Sequence, residues 1–183
     1  MNTSHAPVYT TDDFARTTTT GDDAHATTTG DYAHATTAGD FAHATTAGKY
    51  AHATTAGGFA HAATTGDYAH ATAASDFAHA TTTGAYAHAA TAGRLTYATT
   101  TGIFAHAATT GRRSNASVSG ENAIAVAVGA NSYARAANGG FIVLAQYDGD
   151  TVVAVKTAQV GKDGIKPDTW YKLSPTGEFV EAE

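Results

Sequence analysis

Small apolar and polar positions alternate along this chain in a block of nine that recurs without insertion over about two-thirds of its length. A typical block is Gly30 to Ala38, GDYAHATTA. Glycine opens the block at 21, 30, 39, 48, 57, 66, 84, 93, 102, 111, 120 and 129, with Ser75 in the one gap. Histidine keeps the same beat at His25, His34, His43, His52, His61, His70, His79, His88 and His106, broken only by Tyr97. Counted back, Asp12 opens a degenerate first unit, so fourteen units run from Asp12 to Ala137. Strict self-similarity at a short fixed period marks a solenoid. The abundant alanine makes helix the competing reading. Nine residues, however, make about two and a half α-turns, which would throw successive units onto opposite faces. A glycine in every unit would also cost roughly 1 kcal/mol relative to alanine, and the many threonines are β-branched. Strands are the reading that fits.

A second period lies inside the first. The third position of successive units reads Tyr32, Phe41, Tyr50, Phe59, Tyr68, Phe77, Tyr86, Leu95 and Phe104. Tyrosine and phenylalanine alternate, so one coil holds eighteen residues as two half-coils, each a short strand and a tight turn. This predicts an all-β fold, a parallel β-solenoid over residues 12–138, with tyrosines stacked along one side and phenylalanines along the other. Coils about 4.8 Å apart would make seven of them a rod on the order of 34 Å long.

Alternate residues of a strand face opposite sides. Numbered from the glycine, the fourth and sixth positions are small almost everywhere, as in Ala33 and Ala35, Ala42 and Ala44, or Ser114 and Ala116. The fifth and seventh admit histidine, Arg16, Asn115, Tyr133 and Arg135. A position that admits only small residues is sterically confined, whereas one that admits arginine must reach water. The alanine pairs are therefore expected inside a narrow core, with histidine and threonine outside. A wider core of aromatic, histidine and threonine side chains is the alternative, which Ile124 and Val126 favour. The glycine suits a turn that needs positive φ, and Asp31, Asp40, Asp67 and Asp76 behind it are common turn residues.

Solenoids need caps at their open ends. Residues 1–11, polar and irregular, are expected to form one. At the other end the AHATT pattern fades from Gly111, and after Asn138 the repeat stops. Residues 139–183 read as a small antiparallel β cap. An apolar run from Phe141 to Tyr147 leads through Asp148-Gly149-Asp150 into an alternating strand from Thr151 to Val160. Two further short strands, Trp170 to Leu173 and Glu178 to Val180, flank Pro175-Thr176-Gly177. Forty-five residues provide too little core to stand alone, so this segment is expected to pack on the last coils and bring the single tryptophan to the junction.

Composition narrows the function classes. The chain has no cysteine, which excludes disulfides and cysteine metal sites. A net charge of −6 with ten Lys plus Arg argues against nucleic acid as the main ligand. No apolar leader and no run of membrane-spanning length is expected, hence no membrane partner.

The C-terminal stretch Ile165, Lys166, Pro167, Asp168, Thr169, Trp170 and Tyr171, together with the block GENAIAVAV, resembles the end of a family of phage and prophage proteins of uncharacterised function. Their nine-residue repeats are of the type GDYGASSAT, where this chain has AHATT. The resemblance implies a viral or mobile-element origin, with the host bacterial cytoplasm or the virion as location, and it supplies no catalytic residue. Asn122-Ala123-Ile124-Ala125-Val126 is similar to motifs in the β-roll heads of trimeric bacterial adhesins, which implies that such coils can assemble side by side.

Candidate chemistry follows from the columns. Histidines about 4.8 Å apart along one line offer ligands on one side only and do not build a tetrahedral cage. The calcium-binding pattern GGxGxDxUx is missing, because Asp31 and its equivalents follow a single glycine. Neither a metal nor any other cofactor is expected. Adjacent threonines such as Thr36-Thr37 face opposite sides, which argues against an ice-binding array and for threonine as a β-former. Asp and His occur in nearly every unit, and no G-x-S-x-G or phosphate-loop motif appears, so catalysis has no support. The aromatic columns Tyr32, Tyr50, Tyr68, Tyr86 and Phe41, Phe59, Phe77, either exposed or tucked under the turn, are the candidate binding surface. The expected function is non-enzymatic surface presentation, by a homo-oligomer, to a host or viral protein, including inhibition of a defence enzyme. A structural or adhesive role as a homo-oligomer is the alternative.

Overall fold

The computed structural model describes residues 7–182, and within them the chain forms nineteen strands and no helix. The first fifteen are β1 (Val8–Thr10), β2 (Arg16–Thr20), β3 (His25–Thr29), β4 (His34–Ala38), β5 (His43–Ala47), β6 (His52–Ala56), β7 (His61–Thr65), β8 (His70–Ala74), β9 (His79–Thr83), β10 (His88–Ala92), β11 (Tyr97–Thr100), β12 (His106–Thr109), β13 (Asn115–Val118), β14 (Ile124–Ala127) and β15 (Tyr133–Ala136). The C-terminal end adds β16 (Phe141–Asp148), β17 (Thr151–Gln159), β18 (Tyr171–Leu173) and β19 (Phe179–Glu181). Odd strands from β1 to β15 stack in parallel as one sheet, and even strands from β2 to β16 form the other. Each strand pairs with its equivalent eighteen residues on, His43 beside His61 and Ala44 beside Ala62. This is the parallel β-solenoid that the double period predicts.

The narrow core is the version the chain adopts. Fourth- and sixth-position alanines such as Ala33, Ala35, Ala51 and Ala53 are fully buried. Threonine requires a correction. The eighth position has the same parity as the fourth and sixth, so Thr28, Thr37, Thr46, Thr55, Thr64, Thr82, Thr100 and Thr109 lie inside, and only the threonines at the seventh and ninth positions face out beside the histidines. Alanine and threonine are among the few side chains slim enough for facing sheets this close.

The turns explain the glycine beat. A Cβ at Gly39 would stand 2.1 Å from the Gly21 carbonyl oxygen of the coil below, and its φ of +145° disfavours any L side chain. At Ser75, in the one gap, the hydroxyl serves as acceptor for the Gly57 N–H at 3.0 Å. The following aspartate caps the ladder. Asp31 Oδ1 accepts from the Lys49 N–H at 2.8 Å, and Asp40 Oδ1 from the Gly58 N–H at 2.8 Å.

Both ends differ from the sequence expectation. At the N-terminal end, β1 pairs in parallel with β3, Val8 beside Ala26, so the solenoid phase begins before Asp12 and the segment is not irregular throughout. Residues 1–6 of the expected N-terminal cap lie outside the described residues. At the other end β16 is parallel to β14, with Phe141 beside Ile124, a spacing of seventeen residues in place of eighteen. The turn is one residue short, which breaks the nine-residue count while the sheet continues. The antiparallel cap is then two hairpin additions: β17 on β16, and β18–β19 on β15. Ile142, Leu144, Val160, Ile165 and Tyr171 fill the interior there with larger side chains than the coils admit. Trp170 reaches the junction, where the Arg135 guanidinium lies 4.7 Å from its ring centroid.

Candidate functional site

Every third-position residue from Phe14 to Asn131 has a left-handed backbone, with φ between 53° and 61°. Placing a bulky L residue there costs roughly 1–2 kcal/mol per position. The same conformation swings the side chain out from the corner, so the aromatic residues are exposed and are not tucked beneath the turn. Neighbouring rings then stack. Phe14, Tyr32, Tyr50, Tyr68, Tyr86 and Phe104 form one ladder with centroids 4.9–5.2 Å apart. Phe41, Phe59 and Phe77 form a second on the opposite corner, at 5.1 and 4.7 Å. Ring stacking worth about 0.5–1.5 kcal/mol per pair offsets much of the backbone strain. The polar Asp23, Arg113, Asn122 and Asn131 near the ends occupy the same backbone slot, and asparagine and aspartate tolerate it best.

The histidines stack on the outer faces of the two sheets. His25, His43, His61 and His79 run along one, and His34, His52, His70, His88 and His106 along the other, with centroids 4.7–5.0 Å apart. Partial burial lowers the pKa of His43, His52, His61, His70, His79 and His88 below the ordinary 6.5, and for all but His79 a neighbouring histidine lowers it further. Among the described residues no group of three His, Asp or Glu side chains is placed to hold a metal ion. Tyr97 continues the first histidine ladder, its ring 4.9 Å from that of His79.

The distal coils carry a different surface. Asp76 is held below the usual carboxylate range by the backbone N–H and side chain of Arg94, which lies 2.9 Å away as an ion pair. Beyond it, Arg112 reaches Asp150 of the cap at 3.5 Å. A shallow cleft between the last coils and the cap is lined by Tyr133, Gln146, Tyr147, Leu173 and Pro175.

One surface escapes a reading of the sequence alone. The outer strand of the cap, β17, pairs only with β16 among the described residues and leaves a nine-residue sheet edge open, with Val152, Val153 and Val155 at least half exposed. Its alternating pattern is visible in the chain, but which edge stays open depends on sheet order. No protein family, curated protein or solved structure matches the chain.

Proposed function

We propose that the protein works as a binding rod that presents its aromatic corner ladders to a protein partner and performs no chemistry of its own. The carrying observation is the stack from Phe14 to Phe104, six rings held out from the corner on a strained backbone. A folding core does not require aromatic rings at that slot, since Asn122 and Asn131 fill it equally well. Exposed aromatic area with polar edges is what protein interfaces are enriched in, and a repeated contact multiplies weak affinities. The phage-like C-terminal end makes a host or viral protein the partner of choice, including a defence enzyme inhibited by occlusion.

The test replaces Tyr32, Tyr50, Tyr68 and Tyr86 together by asparagine, which suits the left-handed backbone. Partner capture from a bacterial host should be lost while the β-type circular dichroism persists. Retained capture would assign the ladder to scaffolding alone.

A second reading, a structural oligomer, draws on β17. A long open edge with three exposed valines and the single charge of Lys156 is a surface that proteins usually cover. Two copies joined edge to edge there would extend one sheet across both. A monomeric mass in solution at high concentration would refute this reading and leave the first untouched.

A further inference from the structure

The two sheets differ in what they turn outward. Seventh- and ninth-position residues share the outward parity, so a pair of threonines two apart stands on one face even though adjacent threonines do not. On the odd-numbered sheet three such pairs are complete: Thr27 with Thr29 on β3, Thr81 with Thr83 on β9, and Thr99 with Thr101 on and just after β11. Strands β5 and β7 each contribute one threonine and one alanine at these positions. On the even-numbered sheet the ninth position is alanine in β4, β6, β8 and β10, so the one complete pair among these strands and β2 is Thr18 with Thr20 on β2, at the N-terminal end.

Three properties make the odd-numbered face unusual. It is regular: the strands pair in register, and the histidine ladder on it repeats at 4.7–4.9 Å. Its stacked rings keep one orientation, successive planes differing by only 2–12°. It is free of formal charge, with no Asp, Glu, Lys or Arg facing out between β3 and β11. Beside the imidazole ladder, threonine hydroxyl and methyl groups, interrupted by Ala47 and Ala63, repeat about 4.8 Å along the rod and about 6.7 Å along the strands.

We infer that the outward face of β3, β5, β7, β9 and β11 binds ice. The repeat along the rod lies close to the spacing of water oxygens along the a axis of hexagonal ice. Threonine supplies a hydroxyl that joins the water lattice and a methyl group that orders the water beside it. Ice is uncharged, and apart from its histidine ladder this face carries no ionisable side chain that would hold a charge against it. The face is separate from the corner ladders, so the inference stands independently of the protein-binding reading.

The test is partition of the purified full chain into slowly grown ice, alongside microscopy of ice recrystallisation. Three proteins are compared: the natural sequence, a Thr83→Lys/Thr101→Lys double variant, and Thr72→Lys on the even-numbered sheet. Circular dichroism checks that all three keep the β spectrum. The natural chain and Thr72→Lys should concentrate in the ice. The double variant should lose partition on the order of tenfold, the change made by about 1.4 kcal/mol of binding. Exclusion of the natural chain from ice would overturn the inference. So would equal partition by the double variant, equal loss in Thr72→Lys, or binding to crystalline polysaccharide with none to ice.

Discussion

The buried threonines set up a direct test of the core. In the odd-numbered sheet Thr28, Thr46, Thr64, Thr82 and Thr100 form an inward column whose hydroxyl oxygens are buried and have no hydrogen-bond partner. A buried hydroxyl without a partner costs about 1–3 kcal/mol. The next residue in the same column is Val118, itself 1 % exposed, so valine demonstrably fits the slot. Thr82→Val exchanges a hydroxyl for a methyl group of nearly the same size and removes the desolvation cost without opening a cavity. The variant should be more stable by about 1–2 kcal/mol, which in a chain of this length raises Tm by roughly 2–8 °C. Thr81→Val, one residue away but facing water, is the control and should change little. Scanning calorimetry of both variants gives the answer. A lowered Tm for Thr82→Val would mean that the hydroxyl holds a hydrogen bond in the folded protein, and the account of the column would be wrong. A triple variant at Thr64, Thr82 and Thr100 should gain further but not additively, because Thr82 is the register partner of both of the others.

Two more outcomes follow from the packing and the ladders. Ala53→Leu overfills a site that is 1 % exposed and should destabilise by roughly 1–3 kcal/mol, whereas His52→Leu, on the outer face, should be close to neutral; melting temperatures in the reverse order would mean that the faces are inverted. The six histidines with lowered pKa bind protons less readily folded than unfolded, so their contribution is full above about pH 6.5 and is lost as pH falls towards their depressed values. Tm should therefore drop between about pH 7.5 and pH 5, and a flat or rising profile would contradict the burial of the ladder.

Much of this protein is determined by the sequence alone, because a period of nine with an alternating aromatic leaves little conformational choice. The glycine beat places the turns, the alternation sets eighteen residues per coil, and the confinement of the fourth and sixth positions to small residues points them inward. Each of these follows from steric limits within one unit and its immediate neighbours. The eighth-position threonine defeats that logic, since its chemistry suggests water while strand parity, propagated from the alanines, forces it inside. Position in the chain likewise fails to reveal that β16 joins the parallel stack, because a one-residue shortening of the turn hides the repeat from counting yet leaves the pairing intact. Whether the aromatic rings were buried or exposed was undecidable from parity, which gives out at a turn; the left-handed backbone shared by Tyr32 and its equivalents decided it. Thr81 and Thr83 look like any β-forming pair in the chain. They join a row of outward hydroxyl groups only when coils stack in register, and that is a property of the assembled sheet, which no single unit contains.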